Sequence, residues 1–452
     1  MGRLFGTDGV RGLANDDLTV ELALDLAVAA AHVLGEAGAF AGHRPSAVVG
    51  RDPRASGEFL EAAVVAGLGS AGVDVWRAGV VPTPAVAHLT GATGADLGVV
   101  LSASHNPMPD NGVKFFARGG HKLDDAIEDA VELRLREPWQ RPVGADVGRI
   151  RDLPDSTERY VDHLVASYPA SVRRLDGLRV VVDCANGAAY AAVPAVLRRL
   201  GADVVALHAQ PDGLNINAGC GSTHPQDLRA AVVAEQADAG FALDGDGDRC
   251  LGVDHTGELV DGDHLLAILA VAMRDAGVLR DDTVVATVMS NLGFVQAMER
   301  ERIRVLRAAV GDRYVLAAMA AGGYVLGGEQ SGHVVLAEHA TTGDGVLTAV
   351  HVLARMAATG RPLADLAAVM TQLPQVLVNV PGVDKSRADT DPDVASAVAA
   401  AEAGLAGAGR VLLRPSGTEP LVRVMVEAPT AEQADAVARG LADVVEQALA
   451  LR

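Results

Sequence analysis

The stretch DGDGDR places three aspartates, Asp244, Asp246 and Asp248, at alternate positions. In an extended segment alternate side chains point the same way, so the spacing predicts three carboxylates that converge on one point. Without a cation they would repel one another, and oxygen-only ligands favour Mg²⁺ or Ca²⁺. An EF-hand loop is excluded, because Arg249 and His255 stand where that loop needs Gly and Glu. We therefore predict a metal loop; an acidic surface turn is the alternative.

A second polar stretch, SASHNP, follows the apolar run LGVVL. Ligands bind at strand ends in parallel sheets, and Ser104 at such an end is a candidate nucleophile. The residues after it are expected to form a tight turn that exposes the Ser104 oxygen; an ordinary Ser/Asn/Pro turn is the alternative. Lys114 could clamp a phosphate, move protons or lie on the surface, and Arg11 could reach an anion near Ser104.

Two further Gly-rich stretches are candidates for ligand binding. GEQSGH contains Glu329, Ser331 and His333, whose alternating polar side chains could hold sugar hydroxyls. RPSGTEPLVR combines arginines and hydroxyls around a glycine, which suits a phosphate because backbone N–H groups can approach the anion and arginine supplies bidentate charge. A simple turn between strands is the alternative. The candidate phosphate-binding residues are Arg414, Ser416, Gly417, Thr418 and Arg423.

The elements that must position these stretches follow a repeated order. Residues 47–79, 178–209 and 282–309 each contain a Val-rich strand, an Ala- and Leu-rich helix and another strand. This order predicts βαβ crossovers and mostly parallel sheets. The tail, residues 411–452, predicts strand, loop, strand and a helix capped by Thr430. We predict three similar α/β domains with mixed, mostly parallel sheets and a smaller C-terminal α+β domain.

Composition restricts the class of protein. The chain has 452 residues, a formal charge of −20 and 49% hydrophobic residues. Such a surface repels nucleic acid and anionic membranes, and no apolar run is long enough to span a bilayer. The three cysteines, Cys184, Cys220 and Cys250, are far apart, which favours reduced thiols. We predict a cytoplasmic protein with neither nucleic acid nor a membrane as partner.

The four stretches stand in the order of the motifs of the α-D-phosphohexomutase superfamily, which the chain resembles over essentially its full length. SASHNP is similar to that family's phosphoserine loop, DGDGDR to its metal loop, GEQSGH to its sugar-reading loop and RPSGTEP to its phosphate-binding loop. The resemblance implies four domains around a central cleft. We predict their boundaries at 1–155, 156–256, 257–370 and 371–452, with one of these loops in each, in that order.

The resemblance also implies an activity. FGTDGVRG, PQVLVNV and Gln330 are similar to members that act on glucosamine phosphates. The expected reaction interconverts glucosamine 6-phosphate and glucosamine 1-phosphate through a phosphoserine and a hexosamine 1,6-bisphosphate, and it feeds UDP-N-acetylglucosamine and cell-wall synthesis. The alternatives are a phosphomannomutase or phosphoglucomutase, a phosphatase, and a Ca²⁺-binding or sugar-phosphate-sensing protein without catalysis.

Roles for the candidate residues follow from the same resemblance. Ser104 would carry the phosphoryl group and, with the three aspartates, bind Mg²⁺. Lys114 and Arg249 would hold the transferring group, with Arg11 among the catalytic residues.

The sugar and the second phosphate would be held by the other two loops. Glu329 and Ser331 would read sugar hydroxyls, and the RPSGTEPLVR residues would hold the phosphate that is not transferred. Either Lys114 or His333 would move protons. Beyond the phosphosugar, the candidate partners are an activating kinase and a second copy of the chain.

Overall fold

The computed structural model describes residues 3–6, 8–416 and 421–451. The chain divides into two compact units, each described here by itself. Unit 1 comprises Met1–Met289 and Arg302–Val369, and unit 2 comprises Ser290–Glu301 and Met370–Arg452.

The first sheet of unit 1 is mixed. Its strands are β1 (Val10–Leu13), β2 (Ser46–Arg51), β3 (Asp74–Val80), β4 (Leu97–Leu101), β5 (Asp110–Ala117), β6 (His121–Lys122) and β7 (Ile150–Asp152), and its helices are α1 (Val20–Glu36), α2 (Ala55–Ser70), α3 (Thr83–Thr93) and α4 (Asp125–Leu133). The strand order is β1–β5–β4–β2–β3–β7, with β6 on the end of β5. Strand β4 is parallel to β2 and antiparallel to β5, so the SASHNP stretch is a loop between antiparallel neighbours.

The second sheet of unit 1 carries the metal loop. The elements are α5 (Ser156–Ser167), β8 (Arg179–Asp183), α6 (Ala192–Arg199), β9 (Asp203–Leu207), α7 (Gln226–Ala234), β10 (Ala239–Leu243), β11 (Cys250–Asp254) and β12 (Leu259–Val260). The strand order is β12–β11–β10–β8–β9. Strands β10 and β11, with the sequences AGFAL and CLGVD, are fully buried, and they form the antiparallel pair that DGDGDR connects.

The third sheet of unit 1 carries the GEQSGH loop. The elements are α8 (Gly262–Asp275), β13 (Thr283–Thr287), α9 (Leu292–Arg300), β14 (Arg304–Ala308), α10 (Asp312–Gly322), β15 (Leu326–Gly328), β16 (Val334–Leu336), α11 (Gly345–Thr359) and α12 (Leu363–Ala367). Helix α9 connects β13 to β14 along the chain and belongs to unit 2. The strand order is β14–β13–β15–β16, and β15 and β16 form a hairpin around GEQSGH.

Unit 2 contains an antiparallel sheet. Its remaining elements are β17 (Gln375–Pro381), α13 (Pro392–Leu405), β18 (Arg410–Pro415), β19 (Leu421–Glu427) and α14 (Ala431–Leu449), and the strand order is β17–β19–β18. The Thr430 side chain accepts a hydrogen bond from the Gln433 backbone N–H and caps α14, as the sequence predicts. Apolar residues of α13, α14 and the strands form one buried cluster.

The predicted fold class is confirmed. In each of the three predicted βαβ segments the two strands pair in parallel: β2 with β3, β8 with β9, and β13 with β14. The tail has the predicted order of strands followed by a helix. Among the described residues, no helix combines the length and the apolarity that a membrane span needs.

Candidate active site

Ser104 is buried at the centre of the loop between β4 and β5. Its φ of 51° lies in the left-handed region, which a residue with a side chain adopts at a cost of about 1–3 kcal/mol. The hydroxyl donates a hydrogen bond to Asp244 Oδ2 at 2.5 Å, and the backbone N–H donates to Ser102 Oγ at 2.9 Å. The expectation that this turn exposes the Ser104 oxygen was wrong: the residue is 0% exposed, because the metal loop packs over it.

Arg54, which sequence reasoning missed, holds the conformation of this loop. It is 0% exposed and stands just before α2. Its guanidinium donates hydrogen bonds to four buried or partly buried carbonyl groups of this segment. The carbonyl oxygens that accept its hydrogen bonds are those of Ser104 (3.0 Å), Asn106 (2.9 Å), Pro107 and Asp110 (2.9 Å).

A buried carboxylate completes this network. Asp52 accepts hydrogen bonds from Arg54 Nε at 2.9 Å and from Ser102 Oγ at 2.6 Å. Burial raises the pKa of Asp52, although Arg54 and Ser102 counteract it. From the segment between β9 and α7, Asn217 Nδ2 donates to the Ser104 carbonyl at 2.9 Å. The available signal was GRDPRAS, where two charged residues directly follow the Val-rich strand β2.

The metal loop is a turn. The expectation of an extended segment was wrong: the Gly247 N–H donates to the Asp244 carbonyl at 3.1 Å, and Gly247 has a φ of 72°, which favours glycine. A Cβ on Gly245 would lie 2.5 Å from the Ser104 carbonyl oxygen, so only glycine allows the two loops to approach this closely. The three carboxylates nevertheless converge, and one oxygen of each lies within 4.8 Å of the others.

These carboxylates fit a hard divalent cation. All three aspartates are buried, and Oδ1 of both Asp246 and Asp248 accepts no hydrogen bond from any described residue. Burial, reinforced by repulsion from Asp248 and Asp246, raises the pKa of Asp244 well above its usual range. Unpaired buried carboxylate oxygens are costly, and oxygen-only ligands suit Mg²⁺.

Lys114 lies beside these carboxylates and not on the surface, which excludes one of its three predicted roles. Its side chain is 4% exposed, and Nζ lies 2.9 Å from Asp246 Oδ2, 2.8 Å from Asp8 Oδ2 and 3.7 Å from Asp248 Oδ2. Burial alone would lower the pKa of Lys114, but the three carboxylates raise it. Thr83, another residue that sequence reasoning missed, donates to Asp246 Oδ2 at 2.6 Å.

Two arginines bring positive charge to the serine. The Arg249 backbone N–H donates to Asp244 Oδ1 at 3.2 Å, and the Arg11 guanidinium pairs with Asp8. Nε of each arginine is buried and has no hydrogen-bond partner among the described residues. Burial and the charges of these arginines lower the pKa of His105 to about 4, and His105 Nδ1 lies 3.3 Å from Ser104 Oγ. Guanidinium groups whose Nε–H has no hydrogen-bond partner among the described residues can donate to a phosphoryl group.

His333 lies against the metal loop. It is buried, and its Nδ1 lies 3.7 Å from Asp248 Oδ2. The Gly343 backbone N–H donates to Nε2 at 3.2 Å, so the Nδ1 proton faces the carboxylate. Burial would lower the pKa of His333, but the contact with Asp248 raises it.

The other polar residues of GEQSGH are more open. Glu329 Oε1 accepts a hydrogen bond from the Gly311 backbone N–H at 3.1 Å, and Ser331 is exposed. The Gly332 carbonyl accepts from the Cys250 backbone N–H at 3.0 Å, directly after the metal loop. The structure therefore brings this hairpin next to DGDGDR.

In unit 2, the predicted phosphate-binding arginines are neighbours. Arg414 of β18 lies directly opposite Arg423 of β19, so their side chains share one face of the sheet. Like charges in this position are destabilising, and an anion between them relieves the repulsion. Ser416 is buried, and its backbone N–H donates to the Leu421 carbonyl at 2.9 Å. Gly417 and Thr418 lie outside the described residues.

Comparison with known proteins identifies the family. Models of phosphoglucomutase/phosphomannomutase match the chain at residues 2–140 (α/β/α domain I), 158–257 (domain II), 261–373 (domain III) and 377–444 (C-terminal domain). The chain belongs to the phosphoglucomutase/phosphomannomutase family.

Relatives that match nearly the whole chain carry one specific name. A phosphoglucosamine mutase of Streptomyces griseus is 68% identical over 99% of this chain and 100% of its own length. One from Nocardioides sp. is 67% identical over 100% of both chains. A crystal structure of a phosphoglucomutase/phosphomannomutase family protein from Burkholderia thailandensis has a TM-score of 0.81 at 25% identity and covers 99% of this chain and 97% of its own. These similarities confirm the predictions of a phosphohexomutase and of an isomerase of the phosphoglucosamine mutase class.

Proposed function

We propose that this chain interconverts glucosamine 6-phosphate and glucosamine 1-phosphate, with Ser104 as the phosphoryl carrier. The observation that supports this most directly is the buried Ser104 hydroxyl, 2.5 Å from Asp244 in a cluster of three aspartates. Arg11 and Arg249 each add a buried Nε that has no hydrogen-bond partner among the described residues, and their charges reach His105, whose Nδ1 lies 3.3 Å from Ser104 Oγ. The choice of glucosamine as the sugar rests on the phosphoglucosamine mutases that are 67–68% identical over the full chain.

The proposed reaction has two balanced transfers. Phosphorylated Ser104 gives its phosphoryl group to O1 of glucosamine 6-phosphate, so the P–Oγ bond breaks, an O1–P bond forms and O1 loses its proton. The resulting 1,6-bisphosphate turns over, and its O6 phosphoryl group returns to Ser104 Oγ. O6 gains a proton, and glucosamine 1-phosphate leaves. The bisphosphate also serves to load an enzyme whose serine is free.

The metal loop would hold Mg²⁺ through Asp244, Asp246 and Asp248, together with Ser104. When bound, Mg²⁺ supplies positive charge that stabilises the charge spread over a transferring phosphoryl group. Phosphorylation of Ser104 removes the proton that Asp244 accepts in this structure, so Asp244 then needs another positive partner. A dication in the cluster meets that need.

Side chains near Ser104 would position the transferring group. Lys114, Arg249 and Arg11 hold it by charge, and positioning of reactants can supply about 7–11 kcal/mol of barrier reduction. Because Ser104 is 0% exposed, bulk water is kept from its phosphate ester.

Two side chains remain candidates for moving the O1 and O6 protons. Lys114 Nζ lies within 4 Å of three carboxylates, whereas His333 has one described carboxylate, that of Asp248, within 4 Å. We favour His333, because fewer interactions must break when it exchanges a proton.

Binding of the sugar and the second phosphate is assigned from the motifs. Glu329 and Ser331 bind sugar hydroxyls. Arg414, Ser416 and Arg423, with Gly417 and Thr418, bind the phosphate that is not transferred. Several expectations from the sequence stay predictions. They are the domain boundaries at 1–155, 156–256, 257–370 and 371–452, the supply of UDP-N-acetylglucosamine synthesis, the cytoplasmic location, the activating kinase and the second copy of the chain as a partner.

One assay tests the substrate. The purified protein, with Mg²⁺ and a trace of hexose 1,6-bisphosphate, is given glucosamine, glucose and mannose 6-phosphates separately, and kcat/KM is compared. We expect glucosamine 6-phosphate to be strongly preferred and peptide mapping to find a phosphate on Ser104. A preference for glucose or mannose would overturn the sugar assignment and favour a phosphoglucomutase or phosphomannomutase. Release of inorganic phosphate instead of isomerisation would identify a phosphatase.

A further inference from the structure

A group of metal-ligating side chains lies outside the active site, on the second sheet of unit 1. Asp183 ends β8, His208 directly follows β9, and Cys220 stands just before a short helical turn. Strands β8 and β9 are parallel neighbours in which Asp183 pairs with Leu207, so their carboxyl ends bring the first two residues together. One ligand atom of each of the three side chains lies within 4.8 Å of the others.

We propose that Asp183, His208 and Cys220 form a second metal site, for Zn²⁺ or a similar transition-metal ion. A sulfur, an imidazole and a carboxylate are the ligands that Zn²⁺ takes, whereas Mg²⁺ takes oxygen ligands only. The active-site cluster of three aspartates offers only oxygen, so the two sites differ in the class of metal they select. Three protein ligands leave one tetrahedral position for water.

The orientation of His208 supports a metal ligand. Its Nε2 lies 3.3 Å from Asp227 Oδ2, and its Nδ1 lies 3.1 Å from Asp183 Oδ1. Although Nδ1 is buried and close to that oxygen, it makes no hydrogen bond with a described residue. A neutral ring that carries its proton on Nε2 places that proton near Asp227 and leaves the Nδ1 lone pair for an ion that Asp183 and Cys220 would also bind. Histidines that bind metals almost always donate the other ring N–H to a carboxylate, a backbone carbonyl or water, and Asp227 is the carboxylate near Nε2 here.

The ordinary alternative is an imidazolium that bridges Asp183 and Asp227. It would need an Nδ1–H aligned with Asp183 Oδ1, and the observed geometry does not provide that hydrogen bond. Asp183 is already oriented by other groups, because its Oδ1 and Oδ2 accept hydrogen bonds from the backbone N–H groups of Ala185 and Gly221, each at 2.9 Å. Cys220 is buried beside them, and metal binding displaces its thiol proton.

The proposed second metal site lies close in sequence to residues that contact the two active-site loops. The Ala188 backbone N–H donates to the Gly245 carbonyl of the metal loop at 2.8 Å. The Asn217 backbone N–H donates to the Ala185 carbonyl at 2.9 Å, while its side chain donates to the Ser104 carbonyl. An ion bound by Asp183, His208 and Cys220 would join the segments that contain these residues, so we expect it to stabilise the fold and not to take part in the reaction.

The test uses Co²⁺ as a spectroscopic substitute for Zn²⁺ in the full-length protein. After treatment with a chelator, the protein is saturated with Mg²⁺ and titrated with Co²⁺, and thiolate-to-metal charge-transfer absorption is recorded. We expect one equivalent of Co²⁺ to produce the band. It should disappear in C220S and H208A and persist in D246N, because the aspartate cluster has no sulfur ligand. H224A, which removes an exposed histidine of the same loop, is the matched control and should keep the band.

A milder variant keeps the test valid if C220S or H208A fails to fold. Asp227 is 66% exposed, so Asp227→Asn should fold normally and weaken the apparent affinity for Co²⁺ about 10- to 100-fold. In the wild type, Zn²⁺ should also raise the unfolding midpoint, and in H208A it should not. No band at saturating Co²⁺, a band that survives C220S, or an unchanged affinity in D227N would overturn the proposal. A band lost only in C184S would place the ligand on the neighbouring thiol and would also contradict it.

Discussion

The Ser104 hydroxyl and Asp244 Oδ2 are joined by a 2.5 Å hydrogen bond between two loops that lie 140 residues apart in sequence. The bond joins the first and second sheets of unit 1 at the atom that the proposed reaction modifies. Phosphorylation must break it, since the esterified oxygen has no proton to donate. The unphosphorylated serine and the phosphoserine therefore need different partners for Asp244.

Removal of the Ser104 hydroxyl should abolish turnover without unfolding the protein. Ser104→Ala removes the hydroxyl contacts with Asp244 and His105, while the Arg54 contacts to the loop carbonyls remain. We expect no mutase activity and no covalent phosphate by intact mass, with an unchanged circular dichroism spectrum.

The matched control for this variant is Ser102→Ala, which should retain the covalent phosphate. If S104A remains active and S102A does not, the nucleophile is Ser102.

Arg54 should contribute strongly to stability because it is a fully buried ion-pair partner. Arg54→Gln leaves the Asp52 carboxylate uncompensated and four loop carbonyls short of donors. Breaking a buried pair on one side typically costs about 3–5 kcal/mol. We expect that loss in urea unfolding, with lower activity because the Ser104 loop is no longer held.

The comparison for Arg54→Gln is a variant that breaks an ion pair exposed to solvent. Arg77 pairs with Asp152 where the side chains are 45% and 77% exposed. Arg77→Gln should change the free energy of unfolding by less than about 1 kcal/mol. Similar losses in the two variants would contradict the role given to Arg54.

The metal loop shows how far the sequence predicts this site. Convergence of Asp244, Asp246 and Asp248 was predicted, but from an extended geometry that the structure replaces with a turn. The motif fixes the residue types, whereas the backbone path depends on the antiparallel pairing of β10 and β11 and on the close approach to the Ser104 carbonyl. The βαβ units were predictable because apolar periodicity and helix ends are local signals.

The hydrogen-bond network that holds the Ser104 loop was not predictable from the sequence, because it joins residues that are distant along the chain. Asp52 and Arg54 act on a loop about fifty residues further along the chain, and Asn217 reaches that loop from the segment between β9 and α7. A single sequence contains no local pattern that pairs such distant positions. Burial of Ser104 was missed likewise, because the residues that cover it come from another sheet.

Asp246 should control the response to Mg²⁺. Asp246→Asn removes a negative charge while preserving shape, so the site should bind Mg²⁺ at least about 10- to 100-fold more weakly and turnover should fall with it. The measurement is kcat/KM against Mg²⁺ concentration. Asp203→Asn, at an exposed aspartate of β9, is the control and should leave the curve unchanged. Full activity in the presence of excess chelator would overturn the metal assignment.

Arg423 should act on binding of the phosphate that is not transferred. Arg423→Ala removes charged hydrogen bonds worth about 1.5–3 kcal/mol, so kcat/KM should fall about 10- to 100-fold, mainly through a higher KM. Arg414→Ala should behave in the same way, because the two arginines are cross-strand neighbours. Arg439→Ala on the exposed face of α14 is the control. A fall in kcat with an unchanged KM would contradict a role restricted to that phosphate.

Partly buried histidines of unit 1 should make the fold sensitive to acid. His88 and His163 stack with ring centroids 4.0 Å apart, and His351 lies 5.0 Å from His339. Burial lowers the pKa of His88 and of His351 to about 4 and also lowers the pKa of His163.

The unfolded chain binds protons at these histidines near pH 6.5, whereas in the folded protein His88 and His351 bind protons only near pH 4. Their contribution to stability is therefore fully present above about pH 6.5 and is lost as the pH falls toward 4. Unfolding midpoints measured across this interval should drop steadily. The double variant H88Q/H351Q should show a smaller drop than the wild type, while H224Q, at an exposed histidine, should follow the wild type. Equal drops in the wild type and the double variant would show that other groups cause the acid sensitivity.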